Sequence, residues 1–188
     1  MKLHLVLIAV LVSCSALFSV PVSATEKGEP YRLRAGDTVL VTVWREETLQ
    51  KEVRVLPDGS ITFPLVGRVS VSGLSTPEVE QRVTDKLQQF ITDPEVAVVI
   101  TGIDGNRVFV LGKVKQPGPV VLTGPMSVLQ VLSLAGGLDT FADANAIRVL
   151  RTTDSGNQLL PVRYNDLVGG KNLDTNVQLR PGDTILVP

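Results

Sequence analysis

The spacing of apolar residues changes several times along this chain, and each change marks an element. From Tyr31 to Val43 the apolar positions alternate, at Tyr31, Leu33, Val39, Val41 and Val43, which predicts a half-buried strand. Val53 and Val55 lead into Leu56-Pro57-Asp58-Gly59-Ser60, where Pro presets one turn angle and Gly accepts the positive one. Ile61 and Phe63 resume the alternation. After Pro64, a turn near Gly67 precedes Val69-Ser70-Val71-Ser72-Gly73, so residues 39–73 read as a meander of short antiparallel strands.

The period then becomes helical. Ser75 is placed as an N-cap, Pro77 lies in the first turn and Glu78 stands three residues after the cap, with Val79, Val83, Leu87 and Phe90 or Ile91 on one stripe. Asp93-Pro94 stops the helix. Glu95 to Thr101 is nearly continuous in apolar residues, which predicts a strand buried on both faces.

Gly102-Ile103-Asp104-Gly105-Asn106 is the best internal boundary, and a second unit begins there. Segments 107–112 and 118–122 pair around Lys115-Gln116-Pro117-Gly118. Ser127 to Leu134 predicts a short, thoroughly buried helix ending at Gly136-Gly137. Segments 146–151 and 159–162 form another strand pair around Asp154 to Asn157, and a single helical turn is expected near Asn165-Asp166-Leu167.

One string occurs twice: Leu-Arg-Ala-Gly-Asp-Thr-Val-Leu-Val at 33–41 and Leu-Arg-Pro-Gly-Asp-Thr-Ile-Leu-Val at 179–187. In each copy a Gly-Asp pair, Gly36-Asp37 or Gly182-Asp183, turns the chain into a β-branched run. Asp beside Gly is read here as a turn residue bonding its own backbone, and Asp58-Gly59 likewise. The repeat points to architecture and assembly.

At 44% hydrophobic and 20% charged residues the chain has the makeup of a folded protein, and 4% aromatics leave Val, Leu and Ile to build the core. Ahead of the fold, Lys2 precedes an apolar stretch from Leu5 to Val20 that ends in Val22-Ser23-Ala24, the pattern of a secretory leader cut after Ala24. Leu11-Val12-Ser13-Cys14 also resembles a lipobox, in which Cys14 would be lipidated. An uncleaved anchor is the third route, and all three put the body of the protein outside the cytoplasm.

Removing the leader takes away Lys2 and leaves 17 basic against 19 acidic residues, a formal charge of −2. That balance does not suit nucleic acid, whose binding rests on a concentrated basic face. His4 and Cys14 are the chain's sole His and Cys, so a chain cut after Ala24 has no imidazole or thiol for a Ser-His-Asp triad, a zinc site or a disulfide. No Gly-x-x-x-x-Gly-Lys loop is present to hold a nucleotide.

A glycan-cleaving pair of carboxylates would have to come from Asp58, Asp104, Asp139 and Asp143, each of which sits in a turn context that explains it. No catalytic, cofactor or metal residues are therefore assigned, and no enzyme is expected. Trp44 reads as a partly buried packing residue, with stacking on a sugar ring as the sharper alternative. Arg32, Arg34, Arg45 and Arg54 alternate with Glu46, Glu47 and Glu52 as a mixed solvated face.

Taken in order, these segments resemble the bacterial outer-membrane polysaccharide export proteins of Wza type. The export-domain pattern is matched by Tyr31-x-Leu33-x-x-Gly36-Asp37, by Val53-x-Val55-x-x-Asp58-Gly59-x-Ile61-x-x-Pro64-x-x-Gly67, by Gly73-Leu74-x-Thr76-x-Glu78 and by Pro94-x-Val96. The β-grasp-like unit called SLBB is matched by Val108 to Gly112, Pro117-Gly118, Ala135-Gly136-Gly137-Leu138 and Leu179-x-Pro181-Gly182-Asp183.

The resemblance implies an α+β protein of two small modules: a polysaccharide export domain (β-meander plus helix) at 29–103, then one SLBB domain at 106–188. It also implies a periplasmic ring of identical chains, associated with the outer membrane, that conducts exopolysaccharide or capsule polymer. An inner-membrane co-polymerase or synthase complex would be its partner. Because the sequence stops within its last strand, a separate outer-membrane β-barrel is expected for the final step. The competing expectation is a periplasmic peptidoglycan-binding module of LysM type without a transport role. In that fold the Gly-Asp-Thr string runs directly into a helix, which the β-branched Val39-Leu40-Val41-Thr42-Val43 disfavours.

Overall fold

The computed structural model describes residues 29–188. Cys14 and the cleavage point after Ala24 lie outside the described residues. In the first unit β1 (Thr38–Val43) is central, antiparallel to β2 (Lys51–Arg54) on one side and to β5 (Val96–Gly102) on the other. β3 (Ser60–Phe63) and β4 (Gly67–Ser70) form a hairpin of their own. The expected meander is thus two antiparallel pieces. The turn after Val55, with Gly59 at φ +78°, lifts the chain out of the first sheet before β3 begins.

The alternation from Tyr31 is also broken, because a turn at Ala35-Gly36 delays the strand until Thr38. Leu33 is buried all the same and Tyr31 packs on the core, so the period read from the sequence reports burial across a turn. α1 (Thr76–Leu87) buries Val79, Val83 and Leu87. Its start is held by the Glu78 carboxylate, which accepts hydrogen bonds from the Ser75 N–H and Oγ–H at 2.7 Å each. Beyond the helix Ile91 packs on the core while Phe90 is exposed.

β5 is an edge strand, and here the expectation of two buried faces fails: Val98 is buried, but Ala97 and Val99 are exposed. α1 lies against this strand, and Glu80 Oε1 accepts the Val98 N–H at 2.9 Å. A helix carboxylate thereby satisfies a backbone donor that an edge would otherwise leave to solvent or to another strand.

The second unit is a five-stranded sheet in the order β7-β6-β10-β8-β9. The strands are β6 (Arg107–Gly112), β7 (Gly118–Val121), β8 (Ile147–Thr153), β9 (Gly156–Val162) and β10 (Thr184–Val187). β10 runs parallel to β6 and antiparallel to β8, which makes the sheet mixed. α2 (Val128–Leu134) covers one face, and α3 (Tyr164–Val168) adds Leu167 to the same core. α2 buries Val128, Val131 and Leu132 but leaves Leu134 exposed, since a short helix lying on a sheet hides one side only. The molecule is α+β, with one cluster of buried apolar side chains in each unit.

Candidate functional site

The repeated strings adopt the same turn. In the first copy the Asp37 N–H donates to the Arg34 carbonyl at 3.1 Å, and Asp37 Oδ2 accepts the Arg34 N–H at 2.8 Å. In the second the Asp183 N–H donates to the Arg180 carbonyl at 3.0 Å, and Asp183 Oδ2 accepts the Arg180 N–H at 2.8 Å. Gly36 and Gly182 carry the positive φ, +97° and +90°, that the turn requires. Both aspartates are buried.

The further donors to each carboxylate separate the two copies. Asp37 accepts from the Tyr31 hydroxyl at 2.8 Å and from the Gly105 N–H, in the segment between the units, at 2.9 Å. Asp183 instead takes a bidentate pair of bonds from Arg151, Nε at 2.9 Å and Nη2 at 2.7 Å. Burial, then the Asp37 hydrogen bond and charge, push the Tyr31 phenol above its ordinary value. The Asp183 hydrogen bond, aided by its charge, raises Arg151 despite partial burial. One turn sequence serves two purposes, joining the units at Asp37 and closing a sheet at Asp183.

The other singled-out turn residues act locally. Asp58 Oδ1 accepts the Ser60 N–H at 3.0 Å and Oγ–H at 2.6 Å, bonds that lower its carboxyl below the ordinary value, and Oδ2 pairs with Arg68 at 3.0 Å. Gly59 crosses Ser72 closely, and Gly136-Gly137 terminate α2 with N–H bonds back to Ser133 and Leu132. Asp139 and Asp143 accept the N–H two residues on, from Phe141 and Asn145, and Asp104 pairs with Arg107. Arg32 and Arg54 donate to the Gly73 and Gly36 carbonyls. Among the described residues no group of three or more His, Cys, Asp or Glu is placed to hold a metal ion.

Trp44 departs from its sequence reading. Its backbone N–H donates to the Glu95 carbonyl at 2.8 Å, tying the end of β1 to the start of β5, yet the residue is 68% exposed. The strand's alternation is the cause: Val43 takes the inward position and Trp44 the outward one. Arg45 follows in the left-handed region at φ +64°, and a 3-10 turn at Glu47–Leu49 folds the chain back. The indole stands at a cleft of about 680 Å³ shared with Glu46, Glu47, Glu80 and Glu95. Glu46 and Glu47 were legible as neighbours of Trp44, whereas Glu80 and Glu95 reach it only through the fold.

Comparison with known proteins covers both units. Residues 25–101 match the family model described as polysaccharide biosynthesis/export protein, and residues 106–187 match the SLBB domain. The EPS I polysaccharide export outer membrane protein EpsA of Ralstonia nicotianae is 26% identical over 186 residues, covering 86% of this chain and 48% of that protein. The polysialic acid transport protein KpsD of Escherichia coli is 31% identical over 162 residues, covering 84% of this chain and 28% of its own length. The capsule polysaccharide export outer membrane protein CtrA of Neisseria meningitidis is 23% identical over 186 residues, covering 87% and 46%. The chain therefore spans less than half the length of these relatives. With an export unit followed by an SLBB unit, it belongs to the bacterial polysaccharide export family.

Proposed function

We propose that this chain is a periplasmic, outer-membrane-associated component of an exopolysaccharide or capsule export machinery, in which copies packed side by side form a passage for the polymer. The observation that carries the reading is the tandem of export and SLBB units, aligned over most of this chain with relatives named for polysaccharide export. In this reading 29–103 and 106–188 are the two domains, supported by their separate buried clusters. The turn residues of the two Gly-Asp strings and of Asp58-Gly59 and Gly136-Gly137 act as scaffold, not as chemistry.

Assembly into a ring is supported by the open face of the second sheet. Phe109 and Leu111 on β6 point away from α2, at 44% and 60% exposure, and Leu159 on β9 is exposed on the same side. An exposed apolar sheet face of this kind favours burial against a neighbour. The partners of the proposal are an inner-membrane co-polymerase or synthase complex and an outer-membrane β-barrel.

Deleting the gene tests the function: surface polysaccharide is lost while membrane preparations still make polymer. Normal surface polysaccharide in the deletion strain refutes the proposal. For assembly, Leu111→Arg lowers the mass of the purified oligomer in native mass spectrometry. For processing, Cys14→Ser shifts mass and membrane partition under lipidation and leaves both unchanged when the leader is cut after Ala24.

A further inference from the structure

We propose that the cleft at Trp44 is a saccharide subsite that accepts a neutral or amino-bearing sugar ring and rejects an acidic one. The proposal rests on the export reading and adds to it the chemical class of polymer unit held. Three features meet here. The indole stands 68% exposed in the turn that follows Val43, the last residue of β1. Pyranose rings present a face of C–H bonds, and an exposed indole is a flat apolar surface against which such a face packs.

Around the indole lie hydroxyl acceptors in quantity. Glu46, Glu47, Glu80 and Glu95 line the cleft against a single cation, Arg45, for a net charge of −3. Glu80 is held in place by its bond to the Val98 N–H, so part of this acceptor set is positioned before any ligand arrives. Carboxylates accept charge-assisted hydrogen bonds from sugar hydroxyls, and an ammonium gains further from both the carboxylates and the indole face. A uronate or sialate would bring a like charge into the same space.

The backbone supplies the third feature. Arg45 occupies the left-handed region at φ +64°, in the turn that follows β1 and presents Trp44. The cleft volume of about 680 Å³ lies within the roughly 300–1,000 Å³ typical of small-ligand sites.

Because Trp44 is the sole tryptophan of the chain, its fluorescence reports on this cleft alone. The purified full chain is titrated with hexamers of β-1,4-linked glucosamine, β-1,4-linked N-acetylglucosamine and α-1,4-linked galacturonate. Saturable quenching or a blue shift is expected with the first two, glucosamine binding about tenfold or more tightly than galacturonate. Glu47→Gln narrows that difference, and Trp44→Ala abolishes binding measured by calorimetry while Trp44→Phe retains part of it.

Absence of saturable binding by both non-acidic hexamers overturns the subsite, as does equal binding of galacturonate. A blue shift that depends on protein concentration and is unaffected by sugar overturns it too, assigning the cleft to a contact between chains. Failure of the subsite leaves the deletion phenotype untouched, whereas normal surface polysaccharide in the deletion strain refutes the export reading whatever the titration gives.

Discussion

The Asp37 carboxylate accepts the backbone N–H of Gly105 at 2.9 Å across 68 residues of sequence, so a buried side chain of the first unit grips the segment that leads into the second. The fit is close: a Cβ at Gly105 would lie 2.9 Å from Arg34 Cβ and 2.5 Å from the Ala35 carbonyl. Asp37→Ala abandons three donors, from Tyr31, Arg34 and Gly105. The expected loss is about 3 kcal/mol in urea unfolding, against about 1 kcal/mol for Tyr31→Phe, which removes one donor. Limited proteolysis should cut Asp37→Ala faster within 102–106. A midpoint for Asp37→Ala equal to that of the parent chain refutes the clamp.

Arg151 and Asp183 form the counterpart pair, with side chains 11% and 2% exposed. Arg151→Met strands a buried carboxylate and is expected to cost about 3–5 kcal/mol. Arg151→Lys keeps the charge but loses the two-pronged geometry and falls between the two. Thermal melts of the three proteins give the order directly, and an Arg151→Met protein as stable as the parent rules the pair out as a support.

Titration should show itself at both ends of the pH scale. The Tyr31 phenol is raised above its ordinary value of 10.0, so its contribution is full below that pH and is lost as pH rises beyond it. Glu78 is lowered from 4.5, first by the Ser75 hydrogen bonds, so its contribution is present above that value and fades as pH falls below it. Melting temperatures should fall less steeply above about pH 10 in Tyr31→Phe, and less steeply below about pH 4.5 in Glu78→Gln, than in the parent. Parallel curves contradict the assignments.

Gly112 ends β6 at φ +105°, where a Cβ would run into the Val187 carbonyl of β10. Gly112→Ala is expected to destabilise by more than about 3 kcal/mol, through strain and disrupted strand pairing together. Gly124→Ala is the control, since nothing lies within 4 Å of a Cβ there, and it should change stability by less than about 0.5 kcal/mol. Chemical denaturation compares the two, and similar midpoints would show that β10 yields without cost.

Local chemistry was the legible part of this fold. Ser75 with Glu78, the glycines after α2 and the Gly-Asp turns lie within a few residues of their partners, and propensity acts at that range. What the sequence hid depends on which layer covers a strand. The apolar run of β5 looked buried on both sides because hydrophobicity does not reveal an edge, and Trp44 looked packed because its facing was set by the pleat of β1. The second partners of Asp37 and Asp183 were illegible for the same reason: Gly105 and Arg151 are ordinary residues until topology brings them close.

The placement of β10 between β6 and β8 has a kinetic meaning. A chain emerging amino end first presents β6 with β7, and β8 with β9, as two hairpins that lack the strand joining them. Until residues 184–187 arrive, each half exposes an unpaired edge, a feature that invites misassembly. Completion of the second unit is therefore a late, long-range event, and a holdase acting in that interval would raise the yield of folded protein.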